Sequence, residues 1–206
     1  MSLQTLARGA IDTLDVLGER RPLHVGSSLG GAVALQLLTL EPEQVASLVL
    51  ANGAGFGSEV IWLIRMLTIP GIGSYMARHT TRDSARMAER AIYGDESLAT
   101  KERIHHALAI AKQPETGPVL HELVSGLSTV RGVRRQWRED LLAEVVKYPR
   151  PALIARRVLP HAQTHLFEGI RHMPSTERPD EFAALVKGFT SSVPDRQFNG
   201  TVLDSH

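Results

Sequence analysis

Leu23-His24-Val25-Gly26-Ser27-Ser28-Leu29-Gly30-Gly31 is the stretch of this 206-residue chain that decides its fold. It leads from a short β-type segment at residues 22–25 into an apolar helix at residues 29–40. Residues 26–30 fit the pattern G-x-S-x-G, in which the serine occupies the apex of a sharp, strained strand-to-helix turn. The glycines two residues before and after it are expected to leave room for the helix beside the strand. The pattern therefore predicts that Ser28 projects from the end of a strand.

The start of that helix also predicts an electrostatic environment. Its free N–H groups and its dipole favour negative charge beside Ser28, and the Leu29 N–H is placed to bind an oxyanion. A generic Gly/Ser-rich turn and a phosphate-binding loop fit the same spacing. However, a Walker loop would have a lysine where this chain has Ala32. A dinucleotide-binding turn would have an acid about 20 residues on, where this chain has Ala51 and Asn52.

The order of predicted elements indicates an α/β protein. A helix at the start precedes the β-type segment, and a continuous apolar segment typical of a parallel strand follows the apolar helix. This order favours a parallel sheet with right-handed crossovers, flanked by helices. The further predicted elements are the first helix (2–17), the second strand (45–50), two late strands (151–154 and 163–167) and a last helix (179–190).

The middle of the chain has a different pattern. Residues 58–137 show helical periodicity and turn signals, with no convincing strand. We interpret them as a helical lid inserted into an incomplete α/β core formed by residues 1–57 and 138–190. The polar segment 191–206 is predicted to be a disordered tail.

Composition excludes several classes of function. The net charge is +1, which provides no field to recruit nucleic acid or an acidic membrane. The longest apolar run, residues 60–64, is far shorter than the roughly 20 residues of a membrane span. The chain has no cysteine, so it has neither disulfides nor thiolate metal ligands. We expect no metal, no cofactor, no nucleic-acid partner and no stable membrane insertion. The N-terminus lacks secretory-signal features, which favours a cytoplasmic location.

Two blocks of sequence resemble the α/β-hydrolase superfamily, in particular its branch of serine esterases, lipases and carbon–carbon bond hydrolases. The first block is residues 23–32 with residues 42–45 and 48–52. The second is residues 167–174, which contain His172, with residues 177–182.

The resemblance implies a serine hydrolase acting on an ester or related carbonyl compound. Ser28 would be the nucleophile, and His172 would be the general base that takes the serine proton and returns it to the leaving group. Apolar residues at the start of the predicted lid suggest a small apolar ester-like substrate, although they fit the core of the lid equally well. These residues are Ile61, Trp62, Leu63, Ile64, Met66, Leu67 and Ile69.

The chain departs from the family pattern in two places. The family has strands and an oxyanion loop ahead of the serine turn, where this chain has one helix, so we expect an N-terminal truncation. The family's acid follows the strand at residues 151–154, but residues 155–164 contain no Asp or Glu. This connection is also too short for a crossover helix, so we expect an internal deletion. Asn52, at the end of the neighbouring strand, is a weak substitute for the acid.

Two functions therefore stay open at the level of sequence. One is a serine hydrolase of impaired activity, favoured by the presence of Ser28 and His172. The other is a catalytically inactive remnant, or a binding protein, that kept the fold. The truncation would also leave the strand at residues 22–25 on an open sheet edge, which predicts a homodimer through that edge.

Overall fold

The computed structural model of the protein describes residues 1–52, 62–148, 152–154 and 162–193. The chain groups into two compact units. The unit that we call the sheet unit contains residues 3–56, 140–166 and 178–206. The other, which we call the helical unit, contains residues 1–2, 57–139 and 167–177.

The described helices follow one another along the chain with two short 3-10 turns, at Pro42–Gln44 and Glu96–Leu98. The helices are α1 (Leu3–Leu17), α2 (Leu29–Leu40), α3 (Trp62–Leu67), α4 (Ile72–Arg78), α5 (Arg82–Ile92), α6 (Lys101–Ala111), α7 (Thr116–Leu127), α8 (Arg135–Val145), α9 (Pro174–Glu177) and α10 (Pro179–Ser192). The strands are β1 (Leu23–Ser27), β2 (Ser47–Ala51), β3 (Ser128–Thr129), β4 (Gly132–Val133), β5 (Ala152–Ile154) and β6 (Gln163–Thr164). None of these helices combines the length and hydrophobicity that crossing a membrane requires.

The sheet unit is built on a parallel sheet, as the sequence pattern predicts, and its strand order is β1-β2-β5-β6. The register places Ser27 opposite Ala51 and Leu50 opposite Ile154. All five residues of β2 are buried, which explains the apolar sequence that follows Ser47 in this strand. Within the described residues β1 lies at one edge of this sheet. The predicted α/β class is therefore confirmed.

Large aliphatic side chains form the interior of the sheet unit. The sequence of α2 is apolar on every side, and Leu35, Leu37 and Leu38 are at most 1% exposed. Such a helix requires burial all round, and α2 packs against both α1 and β1. A second cluster joins β2 to α10, where Val49 contacts Phe189 and Val193. The carboxyl ends of β1 and β2 are thus held by packing on the helices beside them.

The helical unit has a smaller interior, in which Leu67, Ala77 and Val124 pack together with Ile64 and Met76. Its helices also approach each other closely at glycines. A Cβ atom on Gly117 would lie only 2.5 Å from the backbone oxygen of Ala77, so α7 and α4 can meet there only because the side chain is absent.

The prediction that the middle of the chain contains no strand is wrong in one place. Strands β3 and β4 form a short antiparallel pair, with Ser128 opposite Val133. The connection between them depends on Gly132, because its φ of 119° is readily adopted only by glycine. It also depends on Thr129, whose hydroxyl accepts a hydrogen bond from the Arg131 N–H. Strands of two residues are too short to produce an alternating pattern, so periodicity could not reveal them.

Several boundaries differ from those predicted. Strand β6 ends at Thr164, three residues early, and α10 continues to Ser192, with Val193 packed in the core. Residues 191–193 of the predicted tail are therefore ordered, and residues 194–206 lie outside the described residues. Residues 167–177, assigned by the sequence pattern to the core, group with the helical unit.

Strands β5 and β6 are parallel neighbours joined by residues 155–162 alone. A parallel crossover that contains a helix needs at least about 10–12 residues. With eight residues, the connection is shorter than such a crossover, and residues 155–161 lie outside the described residues.

Candidate active site

Ser28 lies at the junction of β1 and α2 with a strained backbone. Its φ of 52° and ψ of −119° place a residue with a side chain at positive φ, which costs free energy. The conformation is held by hydrogen bonds on both sides. The Ser28 N–H donates to the Ala51 oxygen at 3.0 Å, and the Gly31 N–H donates to the Ser28 oxygen at 3.1 Å. This is the sharp strand-to-helix turn that the sequence pattern predicts.

The two flanking glycines have different roles. A Cβ on Gly26 would lie 2.5 Å from the Gly30 oxygen and 2.7 Å from the Gly31 Cα, so the strand and the helix touch there through backbone alone. A Cβ on Gly30 would meet nothing within 4 Å. The expectation that both glycines clear space is therefore confirmed for Gly26 and wrong for Gly30, which contributes its own backbone to the contact.

Leu29 and Asn52 lie beside Ser28 in the sheet unit. Leu29 is the first residue of α2, so its N–H belongs to the group of helix N–H donors that have no acceptor within the helix. Asn52 directly follows β2 and also has a positive φ, of 47°. Ser28 and Asn52, which both have a positive φ, directly follow the adjacent parallel strands β1 and β2. The hydrogen bond from the Ser28 N–H to the Ala51 oxygen joins the ends of these two strands.

His172 belongs to the helical unit, in the loop between β6 and α9. Its backbone N–H donates to the Ile92 oxygen at 3.0 Å, which fixes the loop at the end of α5. The side chain is half-buried, and burial lowers the pKa of its imidazole from the ordinary value of 6.5. The imidazole is therefore mostly neutral at neutral pH, the state in which it can accept a proton.

The described part of the chain thus places Ser28, Leu29 and Asn52 in the sheet unit and His172 in the helical unit. Residues 2–185 match the Alpha/beta hydrolase family. The chain belongs to this family. The strained turn at Ser28 also follows the G-x-S-x-G pattern that is typical of this family.

Individual relatives are distant. An uncharacterized protein of Mycobacterium tuberculosis is 24% identical in an alignment covering 98% of this chain and 65% of that protein. A 2-hydroxymuconate semialdehyde hydrolase of Pseudomonas putida is 25% identical, with 87% of this chain and 66% of the relative aligned. A serine hydrolase of Cycloclasticus zankles has a similar fold, with a TM-score of 0.71, 20% identity, and coverage of 92% of this chain and 70% of that one. This alpha/beta hydrolase chain therefore spans about two thirds of the length of the mycobacterial relative.

No acid with the expected placement lies in the described residues. Glu168 and Asp140 are exposed, and the exposed Glu144 pairs with Lys147 at 2.5 Å. An exposed carboxylate holds an imidazole poorly because water competes for both partners. Residues 155–164 contain no Asp or Glu in the sequence. The structure of residues 155–161 lies outside the described residues.

The helical unit contains an open cavity of about 360 Å³. It is lined mainly by charged groups: Asp83, Arg86, Met87, Arg90, Ala91, Glu96 and Arg171. This lining does not match the predicted apolar substrate site. Of the apolar residues proposed for that site, Ile64 and Leu67 pack in the core cluster of the unit, whereas Ile61 and the side chains of Trp62 and Leu63 lie outside the described residues.

The described residues contain no group of three or more histidine or acidic side chains that could hold a metal ion.

One polar residue near His172 had no role assigned from its sequence position. Glu177 accepts hydrogen bonds from the Arg171 N–H in the loop and from the Gly94 and Asp95 N–H groups in the turn after α5. Gly94 and Asp95 lie more than eighty residues before Glu177 in sequence, so no local pattern could have indicated these two bonds.

Proposed function

We propose that this alpha/beta hydrolase is a serine hydrolase that cleaves an ester or a related carbonyl compound, with Ser28 as its nucleophile. The observation that carries the proposal is the backbone of Ser28, at φ 52° and ψ −119°. A fold keeps a strained residue only where the surrounding structure enforces it, and such strain is concentrated at functional sites.

The proposed reaction begins when the Ser28 Oγ attacks the substrate's carbonyl carbon and its proton passes to His172. The Leu29 N–H donates to the oxyanion of the tetrahedral intermediate, helped by the dipole of α2. The intermediate then expels the leaving group, which takes the proton from His172. Water next attacks the acyl-serine while His172 takes its proton, and that proton finally returns to the Ser28 Oγ. The base role of His172 rests on the family's placement of its catalytic histidine.

Asn52 would take the acid's place beside the base only in part. An amide oxygen can accept a hydrogen bond from an imidazole N–H, but it carries no charge to stabilise the imidazolium. Replacement of the acid by its amide lowers kcat by about 10⁴ in serine proteases. We therefore propose a slow hydrolase.

The test is covalent labelling with a fluorophosphonate, which reacts with activated serines. We expect labelling of the folded protein, and complete loss of it in Ser28→Ala. A matched control is Ser27→Ala, next to Ser28 in the chain. The Ser27 Oγ is buried and has no hydrogen-bond partner within the described structure, so its removal should leave labelling intact. Labelling that persists in Ser28→Ala would assign the reaction to another residue.

A second function is favoured by the short connection between β5 and β6 and its lack of any carboxylate. It is a binding protein that kept the fold without the chemistry. In that case the folded protein would not be labelled, and Ser28→Ala would bind ligands as the parent chain does. Thermal shift measurements on both proteins with the same panel of small esters would show this.

We also propose that two copies pair through β1. Within the described residues β1 lies at the sheet edge, and its Val25 is 52% exposed. An edge strand leaves backbone donors and acceptors available to another chain. We expect a mass by light scattering that rises with concentration and falls again in Val25→Lys. A single monomer mass at every concentration would contradict the pairing.

A further inference from the structure

One carboxylate ties the His172 loop to the turn that follows α5. Glu177 is the last residue of α9, and its Oε2 accepts from the Gly94 N–H at 2.7 Å and from the Asp95 N–H at 3.3 Å. Its Oε1 accepts from the Arg171 N–H at 3.4 Å. All of these residues belong to the helical unit. The side chain therefore links the residue directly before His172 to a turn that lies far away in sequence.

Two further contacts join the same segments. The His172 N–H donates to the Ile92 oxygen at 3.0 Å. On the other side of the loop, a Cβ on Gly94 would collide with the backbone oxygen of Gly169. Gly169 itself has a φ of 73°, which turns the loop toward Gly94. The loop is thus bonded to the end of α5 at His172 and lies against the turn after α5 at Gly169.

The local structure after His172 directs the Glu177 carboxylate back toward the loop. The N–H groups of Thr176 and Glu177 both donate to the Met173 oxygen at 2.9 Å, which forms the tight turn of α9. Glu177 is half-buried, so its hydrogen bonds are partly shielded from water. Hydrogen bonds to a charged acceptor are roughly twice as strong as those between neutral groups.

We propose that Glu177 is a positioning residue for His172, acting through the backbone of the loop and of the Gly94–Asp95 turn. The proposal rests on the proposed function, in which His172 is the general base. Misplacement of a reacting group by about 1 Å can cost on the order of a hundredfold in rate. A base carried on a loop therefore needs a tether, and the Glu177 side chain bonds both to the loop, at Arg171, and to the turn, at Gly94 and Asp95.

The first measurement is amide hydrogen exchange by NMR in Glu177→Ala and Glu177→Gln. Glu177→Ala should lose protection at the Gly94, Asp95 and Arg171 amides and weaken it at the His172 amide. Glu177→Gln should keep the bonds to Gly94 and Asp95 through its amide oxygen but lose the bond to Arg171, because an NH₂ group cannot accept it. The matched control is Glu96→Gln, which removes the same charge near the same turn from an exposed side chain.

The second measurement is the rate of fluorophosphonate labelling at Ser28. We expect Glu177→Ala to react about tenfold to a hundredfold more slowly, with Glu177→Gln between it and the parent and Glu96→Gln equal to the parent. A purely structural role would lower stability without this graded partial rescue by glutamine. Folded Glu177→Ala that keeps the parent rate and the parent His172 exchange would overturn the proposal.

A separate variant covers the case in which Glu177→Ala does not fold. Gly94→Ala keeps Glu177 in the chain but places a Cβ against the Gly169 oxygen and 3.0 Å from the Glu177 Oε2, so it should disturb both the loop and its tether. It should also slow labelling, whereas Gly126→Ala, whose Cβ would meet nothing within 4 Å, should not. Equal labelling rates in both alanine variants would contradict the role of the tether.

The imidazole of His172 separates this inference from the proposed function. If the parent protein is not labelled at Ser28, the proposed function fails, but the titration of the His172 ring by NMR still reports on its placement. Burial lowers the pKa of His172, so release of the loop in Glu177→Ala should raise it toward 6.5. An unchanged titration in that variant would show that Glu177 does not place the ring.

Discussion

Leu35, Leu37 and Leu38 of the sheet unit are almost completely buried, and every residue of β2 is buried with them. In the helical unit, by contrast, whole helices meet at a glycine, as α4 and α7 do at Gly117, whereas the close glycine contact of the sheet unit at Gly26 lies in a turn. The first unit is stabilised chiefly by the burial of large side chains, and the second owes much of its shape to close backbone approach. The comparison teaches that substitutions of different kinds should damage the two units.

The largest expected effect is the loss of a large side chain from the sheet unit. Leu35 is completely buried, so Leu35→Ala should lower the free energy of unfolding by about 2–5 kcal/mol through lost burial and the cavity that remains. Leu67→Ala, at a 9% exposed position in the helical unit, should cost less. Urea denaturation of both variants measures this difference, and an equal loss would remove the distinction between the units.

An added methyl group should destabilise the helical unit at the point where its helices meet. Gly117→Ala places a Cβ 2.5 Å from the Ala77 oxygen, so α7 and α4 must separate, at a cost of about 1–3 kcal/mol. The control is Gly126→Ala in the same helix, which has open space around it and should raise stability by up to about 1 kcal/mol. Denaturation curves in which Gly117→Ala matches Gly126→Ala would show that the contact between these helices is not tight.

How far the sequence predicts the fold follows the same division. The apolar runs of α2 and β2 are long enough to identify both elements, and the spacing of Gly26 and Ser28 predicts the strained turn. The pair β3–β4 has no such signal, because two residues cannot show a period. The loop around His172 was predicted as a loop, but its attachment to the end of α5 depends on contacts between distant residues.

The site divides in the same way. Ser28 and Leu29 are placed by a local turn, which sequence alone can indicate. The surroundings of His172 are set by Ile92, Gly94 and Glu177, which meet only after the helices pack. Asn52 directly follows β2, a position that the sequence also indicates, and its side chain is an amide rather than a carboxylate.

The smallest expected effect is that of pH on the free energy of unfolding, and it involves one histidine in each unit. Burial lowers the pKa of His24 in the sheet unit and of His172 in the helical unit below 6.5. As the pH falls below about 6.5, these histidines bind protons in the unfolded chain but not yet in the folded chain. The free energy of unfolding therefore decreases until the pH reaches the lower pKa values of the folded chain.

Denaturation above and below about pH 6.5 tests this sign. His24→Gln should show a smaller loss of stability on acidification than the parent protein. His106→Gln, at an exposed position on α6, serves as the control and should lose as much as the parent. A parent protein that gains stability on acidification through this range would contradict the assignment.

The position of β2 between β1 and β5 has a consequence for the order of folding. The unit β1–α2–β2 closes within residues 23–51, whereas β5 reaches β2 only after residues 52–151 have intervened. Contacts between distant residues form slowly because the loop between them must first be closed. The strand-to-helix turn at Ser28 can therefore form on the ribosome while the rest of the chain is still being made. Until β5 arrives, the hydrophobic edge of β2 stays open, and this is the interval in which the nascent protein is most exposed to aggregation.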